Sequence, residues 1–294
     1  MYSYKNDETA SMIVLSILVI ISILGAAVNV FLFCMLKKIP EKSTSFHLIR
    51  IIGATDLFLS LFTLSICFSR PILGPVESYT SWFYCPILSS ATFFLCGLSG
   101  ILMGLLALER YSVICYQRGI PRVVIWMALG IEALAAAVLL AGNSIIGGFA
   151  PEPSHLFCMP KGTTWSKYAG IGVDILFNLP LFVLFFSYIA IFIKCYRANV
   201  PNQLESITRK AAIKALLFLF TYIMCYFPKF STTLIGIFYG LDSPPKFLYL
   251  LIPIGMTMLT VVNPILVLLM HRRMKNLVTS YLFVKKSGYS IQLK

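Results

Sequence analysis

Charged residues are scarce in this chain. Only 12% of its 294 residues are Asp, Glu, Lys or Arg, whereas soluble domains carry roughly 25%. With so few charged residues, a water-soluble globule of this size would lack the polar surface needed to cover its core. With 59% hydrophobic residues and a mean hydropathy of +0.86, the composition is typical of an integral membrane protein.

Features that would indicate other classes are also missing. No Gly/Ser-rich or Pro-rich linker divides the chain, so two soluble domains are not expected. The eight cysteines lack metal-ligand spacing, and no nucleophile–base pair or phosphate-binding loop supports an enzyme. The net charge of +13 comes from basic residues in short connectors and in the tail, which suits membrane topology better than nucleic-acid binding.

Long apolar runs dominate what is present. A helix needs about 20 apolar residues to cross the hydrocarbon core, and its backbone satisfies its own hydrogen bonds there. Seven candidate spans lie at 11–36, 47–69, 83–115, 121–148, 166–196, 207–239 and 246–270. The sequence therefore predicts an all-α membrane protein, a seven-transmembrane helix bundle.

Basic residues predict the orientation of this bundle. With the N-terminus outside, 18 of the 24 Lys and Arg residues fall on the inner side, as the positive-inside rule requires. We expect residues 1–10 to be a short extracellular N-terminus, 11–270 the transmembrane domain and 271–294 a cytoplasmic tail. The tail begins with basic and apolar positions that suit an amphipathic helix on the inner leaflet. A multi-pass protein of the plasma membrane is expected.

Four polar side chains interrupt the apolar spans. Asn29, Asp56, Ser99 and Asn263 lie in the first, second, third and seventh spans, where polar groups are costly. Hydrogen bonds between helices are the simplest explanation. Asp56 is harder to explain by interhelical hydrogen bonding alone, because a buried carboxylate needs a partner, a proton or a cation.

Further motifs follow in a fixed order. Glu109-Arg110-Tyr111 ends the third span, Pro180 and Pro228 lie inside the fifth and sixth, and Asn263-Pro264 lies in the seventh. Together with the polar residues, this order resembles the rhodopsin-like (class A) G-protein-coupled receptors over nearly the whole chain. Other matching positions are Asn29, Asp56, Cys85, Trp126 and Tyr188.

The resemblance implies two features at opposite ends of the bundle. Outside, a disulfide would join Cys85 to Cys158, with two free thiols as the alternative. Inside, Arg110 would be released when the sixth span moves outward, and would turn toward Tyr188 and a heterotrimeric G protein. The implied switch residues are Glu109, Arg110, Tyr111, Tyr188, Asn263 and Pro264.

The same resemblance implies a polar site in the middle of the bundle. Its members would be Asn29, Asp56, Ser99 and Asn263, whose oxygens suit Na⁺. Leu259 occupies a position that is usually polar in the family. A hydrogen-bonded cluster without an ion is therefore an equal alternative.

Three departures limit the analogy at the switch. Tyr226 stands where the family has tryptophan, and Val267 replaces the tyrosine of Asn-Pro-x-x-Tyr. Thr208 aligns with an acidic residue that locks some members, so elevated basal activity is a hypothesis. Val267 and Tyr226 also keep open the alternative of a receptor-fold protein that does not signal through G proteins, such as a decoy or accessory protein.

Ligand chemistry is only partly constrained. Thr257 replaces the lysine that binds retinal in opsins, Leu88 replaces the acidic counterion, and Thr92 replaces the aspartate of amine receptors. Lys229 could contact an anionic or carbonyl-bearing ligand. It could instead snorkel or pair with Asp174 or Glu132. The candidate pocket comprises Thr92, Phe177, Tyr226, Lys229, Phe230 and Tyr249.

These observations favour a receptor that transduces a small-molecule, lipid or short-peptide signal to a heterotrimeric G protein. The expected partners are that G protein, an unknown ligand and the lipid bilayer, with no cofactor other than Na⁺ and no nucleic acid. A transporter is a weaker alternative, because no repeated half with matched broken helices is evident. A retinal-binding photoreceptor would need Lys229 as its Schiff-base lysine.

Overall fold

The computed structural model describes residues 2–39, 43–73, 84–145, 149–151, 158–160, 164–197, 202–239, 245–270 and 274. Seven long helices account for most of them, which confirms the predicted seven-helix architecture. Their bounds are α1 Tyr2–Leu36, α2 Thr44–Leu73, α3 Tyr84–Tyr116, α4 Arg122–Ile145, α5 Thr164–Arg197, α6 Asn202–Tyr239 and α7 Lys246–Met270.

Apolar length explains these helices. Within the described residues, four stretches are long and apolar enough to cross a membrane: Thr9–Leu36, Thr44–Ser69, Ser90–Tyr116 and Phe247–Leu268. A shorter apolar stretch, Asn178–Lys194, lies in α5. Large apolar side chains such as Phe58, Ile131 and Leu134 point outward. Such a surface is suited to lipid.

Prolines lie inside three helices: Pro180 in α5, Pro228 in α6, and Pro253 with Pro264 in α7. Each proline lacks a backbone donor and weakens the helix around it, which a packed membrane bundle tolerates. Pro180 lies against α3 at Gly104. A Cβ on Gly104 would come within 3.0 Å of the Pro180 carbonyl oxygen, so these two backbones approach as closely as glycine permits.

Helices α3 and α7 organise the bundle. Helix α3 packs against α2, α4 and α5, and α7 packs against α1, α2 and α6. One large apolar cluster is shared by all seven helices, and Leu32, Leu48, Leu102, Leu184 and Leu266 are among its members. Burial of such side chains is non-directional, so the polar contacts described below define the register between the helices.

A short hairpin lies between α4 and α5. Strands β1, Phe149–Pro151, and β2, Cys158–Pro160, pair antiparallel with Ala150 opposite Met159. Both strands contact α3. The all-helical prediction did not include this hairpin, because two strands of three residues leave little periodicity in a sequence.

The predicted amphipathic helix after the seventh span lies outside the described residues, apart from Met274. Met274 is helical and fully buried in the main apolar cluster. Amphipathicity of the segment 271–294 stays a prediction.

Candidate functional site

A buried polar cluster joins three helices at the centre of the bundle. The Ser99 hydroxyl of α3 donates to Asp56 Oδ1 of α2 at 2.6 Å, and Asn263 Nδ2 of α7 donates to Asp56 Oδ2 at 2.9 Å. Asn263 Nδ2 also donates to Ser99 Oγ at 3.2 Å. Asp56 and Asn263 are 0% exposed. The structure thus brings together three of the four residues that the sequence assigned to this site.

A fourth helix enters the cluster through a residue that the sequence did not single out. The phenol of Tyr222 in α6 donates to Asn263 Oδ1 at 2.5 Å. Its ring stacks on that of Tyr226, with centroids 5.9 Å apart and 22° between the planes. The two tyrosines are four residues apart and so share a helix face. That spacing marks Tyr222 as a neighbour of Tyr226, but nothing in the sequence marks its hydroxyl as bonded to α7.

Asn29 belongs to a neighbouring contact between α1 and α7. Its Nδ2 donates to the carbonyl oxygens of Gly25 at 2.9 Å and of Thr260 at 2.8 Å. Its Oδ1 is buried and has no hydrogen-bond partner among the described residues. Asn29 therefore anchors α1 to the α7 backbone, and its described hydrogen bonds do not reach Asp56.

The C-terminal end of α3 carries the predicted switch. Glu109 accepts a hydrogen bond from the Ser45 hydroxyl of α2 at 2.5 Å, and both side chains are buried. Arg110, half-buried, interacts electrostatically with the buried phenol of Tyr188 in α5. The sequence predicted Glu109, Arg110 and Tyr188 as partners in one switch but did not anticipate Ser45.

Tyr111 lies on a different side of this helix end. Its hydroxyl is 3.2 Å from that of Tyr116, and the two rings meet edge to face. Helix α3 ends at Tyr116, and the next residue, Gln117, has a left-handed φ of 55°. The Lys194 ammonium of α5 donates to the Cys115 carbonyl and lies over the Tyr116 ring. A cation at a helix C-terminus satisfies an otherwise orphaned carbonyl.

Lys229 occupies the C-terminal half of α6 and faces α3. Its ammonium lies 5.9 Å from the centroid of the Phe93 ring, a distance suited to a cation–π interaction. Thr92, which directly precedes Phe93 in α3, donates to the Leu88 carbonyl of its own helix at 2.8 Å. None of the interpretations of Lys229 from the sequence included the contact with Phe93, which ties α6 to α3.

The rest of the predicted pocket is unevenly placed. Tyr226 and Tyr249 are buried, whereas Phe230 is 39% exposed. The side chains of Phe177 and Asp174 lie outside the described residues. The pocket of six residues therefore stays a prediction. Of its members, Tyr226 and Tyr249 are buried in the bundle, and Lys229 points toward α3.

The predicted disulfide also falls outside what the structure describes, because the side chains of Cys85 and Cys158 are not among the described ones. The backbone is informative here. Cys85 lies in the first turn of α3 and Cys158 begins β2, a strand that contacts α3.

A comparison with protein families adds an independent finding. A family model described as "7 transmembrane receptor (rhodopsin family)" matches residues 25–267. The match runs from α1 to the C-terminal part of α7 and includes the whole polar cluster and the C-terminal end of α3. No curated protein matches the chain in a direct comparison.

Proposed function

Because the chain belongs to the rhodopsin family of seven-transmembrane receptors, we propose that it is a G-protein-coupled receptor. It transmits an extracellular small-molecule, lipid or short-peptide signal to a heterotrimeric G protein by outward movement of α6. In this proposal the N-terminus is outside and the protein resides in the plasma membrane. The observation that carries the proposal is the hydrogen-bonded cluster that links α2, α3, α6 and α7 through Asp56 and Asn263.

The cluster suits a bundle with two packings. Its hydrogen bonds join side chains from different helices inside an apolar core, so a movement of one helix must break or exchange them as a set. Packed cores are bistable and do not deform continuously. A ligand on one side and a G protein on the other can therefore bias the same equilibrium, and their effects are reciprocal.

The inner end of α3 suits the role of G-protein contact. Ser45 holds Glu109, which leaves the adjacent Arg110 near Tyr188 and close to the inner face. Arg110 has five donors in a fixed planar group and always carries its charge. Such a group can exchange one set of acceptors inside the bundle for another on a bound protein.

Nucleotide exchange tests the proposal. Purified receptor in nanodiscs is expected to accelerate GTP analogue uptake by at least one class of heterotrimeric G protein, relative to receptor-free nanodiscs. The absence of acceleration with every class, from protein that unfolds cooperatively, would favour a non-signalling receptor fold. Solute or ion flux in proteoliposomes without exchange would favour a transporter.

The non-signalling alternative rests on Val267. This residue is buried in α7 and cannot supply the phenol that the family pattern has at that position. Tyr226 replaces a further family residue. The same exchange assay decides between the two candidates.

The central cluster supports hydrogen bonding without an ion more directly than a sodium site. Both carboxylate oxygens of Asp56 accept hydrogen bonds from neighbouring helices, and Asn263 Oδ1 accepts one from Tyr222. Na⁺ would have to share these oxygens with donors already in place. If Na⁺ binds, raising NaCl in place of KCl stabilises the wild type against heat and leaves Asp56→Asn unchanged; equal curves in both salts exclude it.

Lys229 is proposed to bind an anionic ligand. Its ammonium lies over the face of Phe93, which places a positive charge between α6 and α3 where a carboxylate or phosphate could bind. With a panel of fatty acids as probes, we expect Lys229→Gln to lower the affinity of any binder about tenfold or more, as loss of a charged hydrogen bond does.

Thermal stabilisation of the purified receptor measures this affinity. Lys37→Gln is the matched control, because Lys37 is exposed next to the inner end of α1 and should leave binding unchanged. If an anion stabilised wild type and Lys229→Gln equally at the same concentrations, its affinity would not depend on Lys229, and the proposed contact would be wrong.

A further inference from the structure

We propose that Tyr222 is a positioning residue that latches α6 against α7 and keeps the receptor in its closed packing. The inference deepens the proposed function and rests on it for its link to G-protein activation. The latch is the hydrogen bond from the Tyr222 phenol to Asn263 Oδ1. It ties the helix that is proposed to move to a cluster anchored on α2 and α3.

The bond is built into the core. Tyr222 is 2% exposed and Asn263 is 0% exposed. The other end of the Asn263 amide is engaged with Asp56 and Ser99, so the orientation of Oδ1 toward α6 is fixed by its own donors. Stacking on Tyr226 restricts the Tyr222 ring in the same way. A donor and an acceptor that are both held in place lose little entropy when they pair.

The position of Tyr222 along α6 makes this bond sensitive to movement. Tyr222 lies six residues on the inner side of Pro228, or about 9 Å along the helix. A change of about 20° in a proline kink would displace a residue at that distance by about 3 Å. Hydrogen bonds of this type weaken beyond about 3 Å between oxygens, so the bond cannot survive such a change.

A backbone contact just above the bond reinforces the closed packing. A Cβ placed on Gly255 of α7 would overlap the carbonyl oxygen of Cys225 in α6. The two helices therefore touch through backbone between the proline and Tyr222. Glycine at this position lets α6 lie close enough for the phenol of Tyr222 to reach Asn263.

The latch also accounts for two departures from the family pattern. The seventh span has no phenol at Val267, and the sixth span has Thr208 where some members have an acidic lock. Tyr222 supplies a phenol to the centre of the bundle from α6. It thereby limits the basal activity that the missing acidic lock would otherwise raise.

The test removes one oxygen atom. Tyr222→Phe keeps the stacked ring and deletes the donor, and is expected to raise ligand-free nucleotide exchange about two- to tenfold, the population change that corresponds to one net hydrogen bond. Thr221→Val is the matched control on the neighbouring position, because among the described residues the Thr221 hydroxyl donates to its own helix, at Leu217 O. It should leave exchange unchanged.

A second measurement reports the helix itself. Nitroxide labels on ketone-bearing residues introduced at Val113 of α3 and Ile213 of α6, both exposed, give the distance between the inner halves of these helices. Ile213 lies 15 residues from Pro228, so a 20° change would move it by about 8 Å. Tyr222→Phe is expected to increase the fraction of receptors with the longer distance between the two labels. Thr221→Val is expected to leave that fraction unchanged.

The outcomes separate the latch from the proposed function. An unchanged distance distribution in Tyr222→Phe would overturn the latch. A longer distance without exchange in any G-protein class would uphold the latch and contradict G-protein coupling. In an Asn263→Ala background, Tyr222→Phe should have no further effect on the distance. A full additional effect there would mean that the Tyr222 hydroxyl acts through another partner.

Discussion

Replacing Arg110 with alanine is expected to reduce receptor-stimulated nucleotide exchange at least tenfold, to the level of receptor-free nanodiscs. Arg110 is half-buried at the inner end of α3, beside a glutamate held by Ser45 and near the phenol of Tyr188. Alanine removes the guanidinium that is proposed to pair with G-protein acceptors in the active packing. Losing one or more charge-assisted hydrogen bonds there costs about 1.5–3 kcal/mol each.

Arg50→Ala is the matched control for this prediction. Arg50 is an exposed arginine of α2, and its loss should leave exchange within about twofold of wild type. Both variants are compared at equal surface expression, since a folding defect would also lower the signal. If a well-expressed Arg110→Ala receptor stimulated nucleotide exchange at the wild-type rate, Arg110 would have no role in coupling.

Replacing Asp56 with alanine is expected to lower the midpoint of thermal unfolding by about 4–24 °C. Asp56 is the acceptor for both Ser99 and Asn263, and alanine would remove the acceptor of the Ser99 hydroxyl and of one Asn263 amide hydrogen inside the buried core. Each orphaned donor costs about 1–3 kcal/mol, and a loss of 1 kcal/mol shifts the midpoint by about 2–4 °C in a chain of 150–250 residues.

Asp56→Asn should be intermediate. One amide oxygen can still accept from Ser99, but the new amide nitrogen would face Asn263 Nδ2, which is itself a donor. Ser65→Ala controls for the loss of a polar group from α2, because Ser65 is exposed and, in the part of the chain that the structure describes, its hydroxyl donates to Leu61 O of the same helix. Equal midpoints for Asp56→Ala and wild type would contradict a structural role for the cluster.

The sequence predicted the parts of this site that depend on single, costly residues. A carboxylate, a hydroxyl and an amide inside apolar spans need partners, and partners must come from other helices. Asp56, Ser99 and Asn263 meet for that reason. The seven helices were predictable on the same grounds, because apolar length and backbone hydrogen bonding leave no other structure in lipid.

What the sequence did not predict depends on which way a side chain points. Tyr222 reads as ordinary aromatic packing within α6, since a tyrosine shows no periodicity that marks its hydroxyl as bonded. Asn29 matched the family pattern, but its amide turns to the carbonyl of Thr260. Ser45 had no distinguishing neighbour in the sequence, although its hydroxyl holds Glu109. These contacts arise from helix rotation and packing, which composition and spacing do not encode.

The central claim is that a switch at the inner face, restrained by the cluster, drives G-protein activation. It is tested most directly by measuring ligand-free nucleotide exchange side by side for wild type, Tyr222→Phe, Arg110→Ala and receptor-free nanodiscs. The predicted order is Tyr222→Phe above wild type, wild type above Arg110→Ala, and Arg110→Ala equal to receptor-free nanodiscs. Equal rates in all four samples, from receptors that unfold cooperatively and across every G-protein class, would contradict the account.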